Sequence, residues 1–217
     1  MKPIDLRRQA TGTEHYYLQM LGPKAEVDLR ARYAEPHRHY HTWRHLQEML
    51  LLLEQVDEDL FNPGAVALAL FYHDAVYVPG ADDNELQSAK LMKRTWCAEN
   101  ESRALGWCIE AERMILATKS HKPPQDGRPT EDCAFLLDMD MAVLGYSAQR
   151  YREYSRQIRA EHADVEFSVY AEHRARFLRS LLGRAIYLTP RFSASFEGAA
   201  KFNIALEIQS LERGELL

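Results

Sequence analysis

His73 and Asp74 stand side by side in an otherwise apolar run, with Ala-Leu-Ala-Leu-Phe-Tyr at 67–72 before them and Ala-Val-Tyr at 75–77 after. Such a run predicts burial, and a buried carboxylate without a cationic partner is costly. A divalent metal ion is a natural partner, because imidazole nitrogens and carboxylate oxygens supply lone pairs that can converge on it at about 2.0–2.6 Å. Other ligand-type residues flank the pair, with His41 and His45 upstream and Asp138 and Asp140 downstream.

The elements that must position these residues are helical. Apolar residues recur at helical spacing through most of the chain, and only Ile186-Tyr187-Leu188 reads as a short strand. The expected fold is all-α, a single-domain helical bundle over 1–217, with the metal-site core at 30–150 and charged C-terminal helices at 147–213. Helices are expected over 13–21 and 24–34, the latter stopping before Pro36. The next spans 42–56, where Trp43, Leu46, Met49, Leu50 and Leu53 share one face. Another starts at Asn62 or Pro63 and runs to Val76; it is apolar on nearly every side and therefore central. Further helices follow the acidic loop 79–85 to Glu99, then cover 102–118, then open at Pro129 and end near Gly145. The last three cover 147–162, 165–183 and 195–213, and their closely spaced charges read as solvated faces.

This arrangement puts His45 within one helix, His41 at its entrance, and His73-Asp74 near the end of the next. Antiparallel packing of those two helices, which their short connection permits, would bring His45 to the pair. Successive helical residues diverge by roughly 100°, so His73 and Asp74 can share an ion only over the groove between them. Asp138 and Asp140 diverge by about 200°, so one of them, not both, could complete the set.

Whole-chain properties narrow the rest. With 46% hydrophobic and 27% charged residues among 217, the composition is that of a globular chain with a buried core. A net charge of -5 gives no broad basic surface, so no nucleic-acid partner is expected. No apolar run approaches membrane-spanning length, and the first nine residues lack the apolar stretch of a signal peptide. Cys97, Cys108 and Cys133 match no metal or redox spacing, so reduced buried thiols and a cytoplasmic location are expected.

In order and character the ligand-type residues resemble those of the HD-domain superfamily of metal-dependent phosphohydrolases: an early helical histidine, a central His-Asp doublet and a later aspartate. More narrowly, AEPHRHYHTWRHL, FYHDAVYVPGADDNELQSA, ILATKSH and LLDMDMAVLG are similar to a bacterial subgroup of predicted HD phosphohydrolases. The resemblance covers residues 30–150. It implies that His45, His73, Asp74 and Asp140 hold the ion, and it selects Asp140 over Asp138.

The implied activity is hydrolysis of a phosphorylated small molecule, a nucleotide by preference, through a metal-activated water. Asp74 would also orient that water, and Glu85 could act as general base, although the helix dipole alone favours an acid at a helix start. His41, His121, Arg44, Lys119 and Lys122 are candidates for substrate binding or a second metal, as are His37, His39 and Arg38. The mixed nitrogen and oxygen set suits Mn²⁺, Fe²⁺, Co²⁺, Ni²⁺ or Zn²⁺, with Mg²⁺ less favoured. Two other readings stand beside this one: a non-catalytic metal- or nucleotide-binding regulatory module, and a di-iron oxygenase of the HD type. The closing helices could also pair two protomers as a homodimer.

Overall fold

The computed structural model describes residues 4–5, 12–128 and 130–217. Pro129, expected to open a helix, and most of the N-terminal stretch read for a signal peptide lie outside the described residues. Ten α-helices and three short 3₁₀ or π segments occur among the described residues, with no strand. The chain groups into two compact units, Asp5–Met139 and Asp140–Leu217, the second including Ile4.

The first unit carries α1 (Thr13–Leu21), α2 (Pro23–Arg32), α3 (Trp43–Val56), α4 (Pro63–Tyr72), α5 (Asn84–Met92), α6 (Glu101–Thr118) and α7 (Glu131–Asp140), whose last residue falls at the division. Its axis is α4, in which every residue from Gly64 to Tyr72 is buried. Asn62 starts this helix by accepting from the Ala65 amide at 3.2 Å, and Pro63 occupies the first turn, where its missing N–H costs nothing. α3, α5 and α6 pack around it. α6 comes so close that a Cβ on Gly64 would lie 2.6 Å from the Trp107 ring, so the smallest residue is required there.

α4 ends four residues earlier than the sequence pattern suggests. His73 keeps helical dihedrals, but the Ala75 amide reaches back only to Tyr72 O, at 3.1 Å, and the chain turns. The reason is tertiary, because side chains from the α2–α3 connection take carbonyls on either side of this point. Tyr33 donates to Phe71 O at 3.1 Å, and Arg38 donates to Asp74 O at 2.7 Å. Asn84 and Ser88 of α5 then fix the following segment by hydrogen bonds to the backbone of Val78 and Val76.

Two of the three cysteines are not thiols. Cys97, at the end of a π segment (Lys93–Cys97), is joined to Cys108 of α6, and only Cys133 is free. Burial pushes the Cys133 thiol up to about 12, so it is inert at neutral pH. Pairing was hidden because the partners are eleven positions apart in sequence and meet only where the π segment and α6 lie side by side. The disulfide removes the basis for assigning a reducing compartment. No helix among the described residues is long and apolar enough to cross a membrane.

In the second unit, a 3₁₀ segment (Met141–Gly145) leads into α8 (Ala148–Glu161), α9 (Phe167–Leu182) and α10 (Pro190–Glu212). α10 starts five residues before the expected point, at a Thr-Pro signal: Thr189 accepts from the Phe192 amide and Pro190 takes the first position. Residues 186–188, read as a strand, form the bend before it. Gly145 lies against α10, where a Cβ would meet Phe196 Cβ at 2.5 Å, and Asn203 donates to the carbonyls of Leu144 and Tyr146 at 2.9 Å each.

The charges of these helices are not all solvated. Glu207 is fully buried; it receives Arg174 Nε at 2.9 Å and Ser155 Oγ at 2.9 Å, and Tyr151 donates to its other oxygen. Burial pushes the Glu207 carboxyl up, but Arg174 and the two hydroxyls more than offset this and hold it below its ordinary range. Removing one member of such a pair strands the other charge, at a cost of about 3–5 kcal/mol.

Two predictions follow from these contacts. Glu207→Gln should lower neutral-pH stability in urea unfolding. A depressed carboxyl contributes stability above the unfolded-state value near 4.3 and loses it as pH falls through the folded value, so the gap from wild type should narrow on acidification. A gap independent of pH would contradict the role given to Glu207. Under denaturing but non-reducing conditions, Ellman's reagent should count one thiol per chain, and three only after reduction.

Candidate metal centre

The site is assembled from three helices. α3 and α4 pack together, with the Trp43 and Phe71 ring centres 6.3 Å apart and those of His45 and His73 5.3 Å apart. The start of one helix therefore lies beside the end of the other, which is the antiparallel arrangement expected from their short connection. α7 arrives by a different device. Asp132 in its first turn accepts from the amides of Phe61 and Asn62 at 2.9 and 2.8 Å, which sets the start of α7 beside the start of α4. Both helices have ten residues, about 15 Å of rise. Asp140, the last residue of α7, thus reaches the level of His73, the residue that ends α4.

His45, His73 and Asp140 each offer one ligand atom, and these atoms all lie within 4.8 Å of one another, so the group could hold a metal ion. The two histidines are 2% and 1% exposed, whereas Asp140 is half-buried. Asp138 is buried on the same helix and is not part of this group, which contains Asp140.

The donor chemistry suits a cation. His73 Nδ1 lies 2.8 Å from Leu70 O, and since a carbonyl can only accept, Nδ1 carries the proton. In the neutral ring Nε2 then presents a lone pair, and Asp74 Oδ2 stands 3.0 Å from it. Either a second ring proton, which would make His73 an imidazolium paired with the carboxylate, or a metal cation against both atoms makes that separation favourable. Orientation of a ligating imidazole through its other nitrogen is the usual arrangement at metal sites. His45 is held in a similar way, with Nδ1 3.1 Å from the Tyr40 hydroxyl. Two imidazoles and carboxylate oxygen form a set suited to a first-row transition metal.

Asp74 lies beside the three-residue group rather than within it; its side chain is 17% exposed, in the turn after α4. His41 is drawn in as well: its Nε2 is 3.9 Å from Asp74 Oδ2 and its ring packs on Tyr77 at 4.2 Å. The other candidates stand differently. Arg44 pairs with Glu48 at 3.2 Å, and Lys119 donates to Asp82 O on the acidic loop. Glu85 is half-buried in the first turn of α5, Lys122 is exposed, and His121 adopts a left-handed conformation, φ 49°, just after α6. His37 is committed to Tyr77 O at 2.8 Å. Arg38, read as a cation for substrate, has a buried guanidinium bonded to backbone carbonyls instead.

Sequence reasoning did not find Tyr40 or Asp132. Tyr40 had a signal, since it sits five residues before His45 in a histidine-rich turn. Asp132 had none, because an acid in a first helical turn is already explained by the dipole.

After loading with Mn²⁺ and desalting, metal analysis should find bound ion in the wild type. His45→Ala, His73→Ala and Asp140→Ala should each lower retention at least tenfold, whereas Asp138→Asn should retain metal. Undiminished retention in the three alanine variants would remove the site.

Comparison with known proteins gives no match: no protein-family model, no curated protein and no solved structure aligns with this chain. Any functional reading therefore rests on the site itself and on the motifs that carry the family resemblance.

Proposed function

We propose that this chain is a metal-dependent phosphohydrolase of the HD-domain type, acting on a phosphate ester of a small molecule, with a nucleotide the preferred class. The observation that carries the reading is the convergence of His45, His73 and Asp140 to within 4.8 Å, with the Asp74 carboxylate 3.0 Å from His73 Nε2. These four residues would hold one divalent ion, which when bound polarises a phosphoryl oxygen and acidifies water.

The protein groups then have separate tasks. Leu70 O and Tyr40 fix the two imidazoles so that no reorientation is needed on binding. The partly exposed Asp74 carboxylate can accept a hydrogen bond from the attacking water and aim it at phosphorus. His41, 3.9 Å from that carboxylate, is placed to take the proton onward. Glu85 is the second candidate base. Lys122, exposed after α6, is the cation proposed for the substrate's negative charge, together with Arg44, which lies one residue before His45 and pairs with Glu48.

One observation favours a second reading. The approach of His41 to Asp74 would also suit a second ion and, with two irons, oxygenase chemistry. Two irons per chain and an iron-dependent visible absorption would select it.

Phosphate release should be measured across nucleotides and simple phosphate esters with added Mn²⁺. The wild type should release phosphate from at least one. Asp74→Ala, matched for folding by circular dichroism, should lose at least 10²-fold in rate, and chelator should abolish release. Equal release by both proteins would contradict the assignment. No release from metal-loaded wild type would favour the binding-module reading over hydrolysis.

A further inference from the structure

We propose that Arg38 is the positioning residue of the metal centre, a buried guanidinium that joins the turn carrying His73 and Asp74 to the loop carrying His41 and so sets the spacing of the donors. The inference rests on the metal-centre reading and adds to it a residue that touches neither ion nor substrate.

Arg38 lies in the connection between α2 and α3, and its side chain is fully buried. A single nitrogen, Nη1, donates to both Asp74 O at 2.7 Å and His41 O at 3.2 Å. Nη2 reaches Ala75 O at 3.4 Å, and Nε donates to Glu35 at 3.0 Å, which neutralises the charge. The planar group is flanked by Tyr33 and Tyr77, whose ring centres are 5.1 and 5.4 Å from its central carbon.

A structural explanation accounts for only part of this. A cation at the end of α4 satisfies carbonyls that the helix leaves without partners and complements its dipole. Any helix end could be served so. What is specific here is the pair of carbonyls bridged by Nη1, which belong to two residues whose side chains face one another at 3.9 Å. Nη1 fixes both backbones at once while Nη2 and Nε hold Ala75 O and Glu35, and the single nitrogen of a lysine cannot make all four of these contacts. Loss of the bridge frees Asp74 and His41 to separate while α3 and α4 retain their core.

Co²⁺ is the probe, since its visible absorption reports coordination geometry independently of turnover. Titration of the wild type should give a saturable d–d band. Arg38→Met, folded by circular dichroism, should bind Co²⁺ at least tenfold more weakly with an altered band, in line with the effect of removing groups that orient ligands. Arg38→Lys should fall between the two. Wild-type affinity and band in a folded Arg38→Met would overturn the positioning role and leave the metal centre standing. Absence of any Co²⁺ band in the wild type would overturn the metal centre itself, and this inference with it. Should Arg38→Met not fold, Arg38→Lys decides: weakened binding at unchanged melting temperature supports the role, and unchanged binding overturns it.

Discussion

The imidazole of His73 is committed on one side and exposed to an acid on the other. With Nδ1 donating to Leu70 O, its remaining nitrogen faces the Asp74 carboxylate at 3.0 Å, inside a unit built around a fully buried helix. An imidazolium proton or a metal ion makes that contact favourable. The surrounding architecture brings further ligand atoms to it. α3 delivers His45 by running antiparallel to α4. α7 delivers Asp140 because Asp132 fixes its start beside the start of α4 and the two helices are equally long.

The two units use buried charge in different ways. In the second, Arg174 and Glu207 pair with one another, and the hydroxyls of Ser155 and Tyr151 also donate to the carboxylate. Such a network specifies how α8, α9 and α10 pack. In the first unit His45, His73 and Asp140 bring ligand atoms within 4.8 Å of one another, and the neighbouring guanidinium of Arg38 is bonded to carbonyls. A paired network reads as structure, and a set of converging donors reads as a place for an ion.

Much of this was legible in the sequence because it depends on local pattern. The helical spacing of Trp43 to Leu53 gave the face of α3, and the unbroken apolar run 64–72 gave α4 its central place. Of the four residues named from the motifs, His45, His73 and Asp140 converge and Asp74 lies beside them. What could not be read depends on contacts between distant segments. The end of α4 at Tyr72 is imposed by Tyr33 and Arg38, some forty residues upstream. The Cys97–Cys108 pairing follows from the packing of a π segment on α6, and the burial of Arg174 with Glu207 from the meeting of α9 and α10, neither of which has a periodic signature. Asp140 was separated from Asp138 by motif similarity alone, and it is Asp140 whose ligand atom lies within 4.8 Å of those of His45 and His73.

The most direct test is anomalous diffraction from crystals grown with Mn²⁺. The account predicts a peak within about 2.0–2.6 Å of a nitrogen of His45, a nitrogen of His73 and an oxygen of Asp140, with the Asp74 carboxylate at its edge. Full Mn²⁺ occupancy elsewhere on the chain, with no peak among these residues, would contradict it.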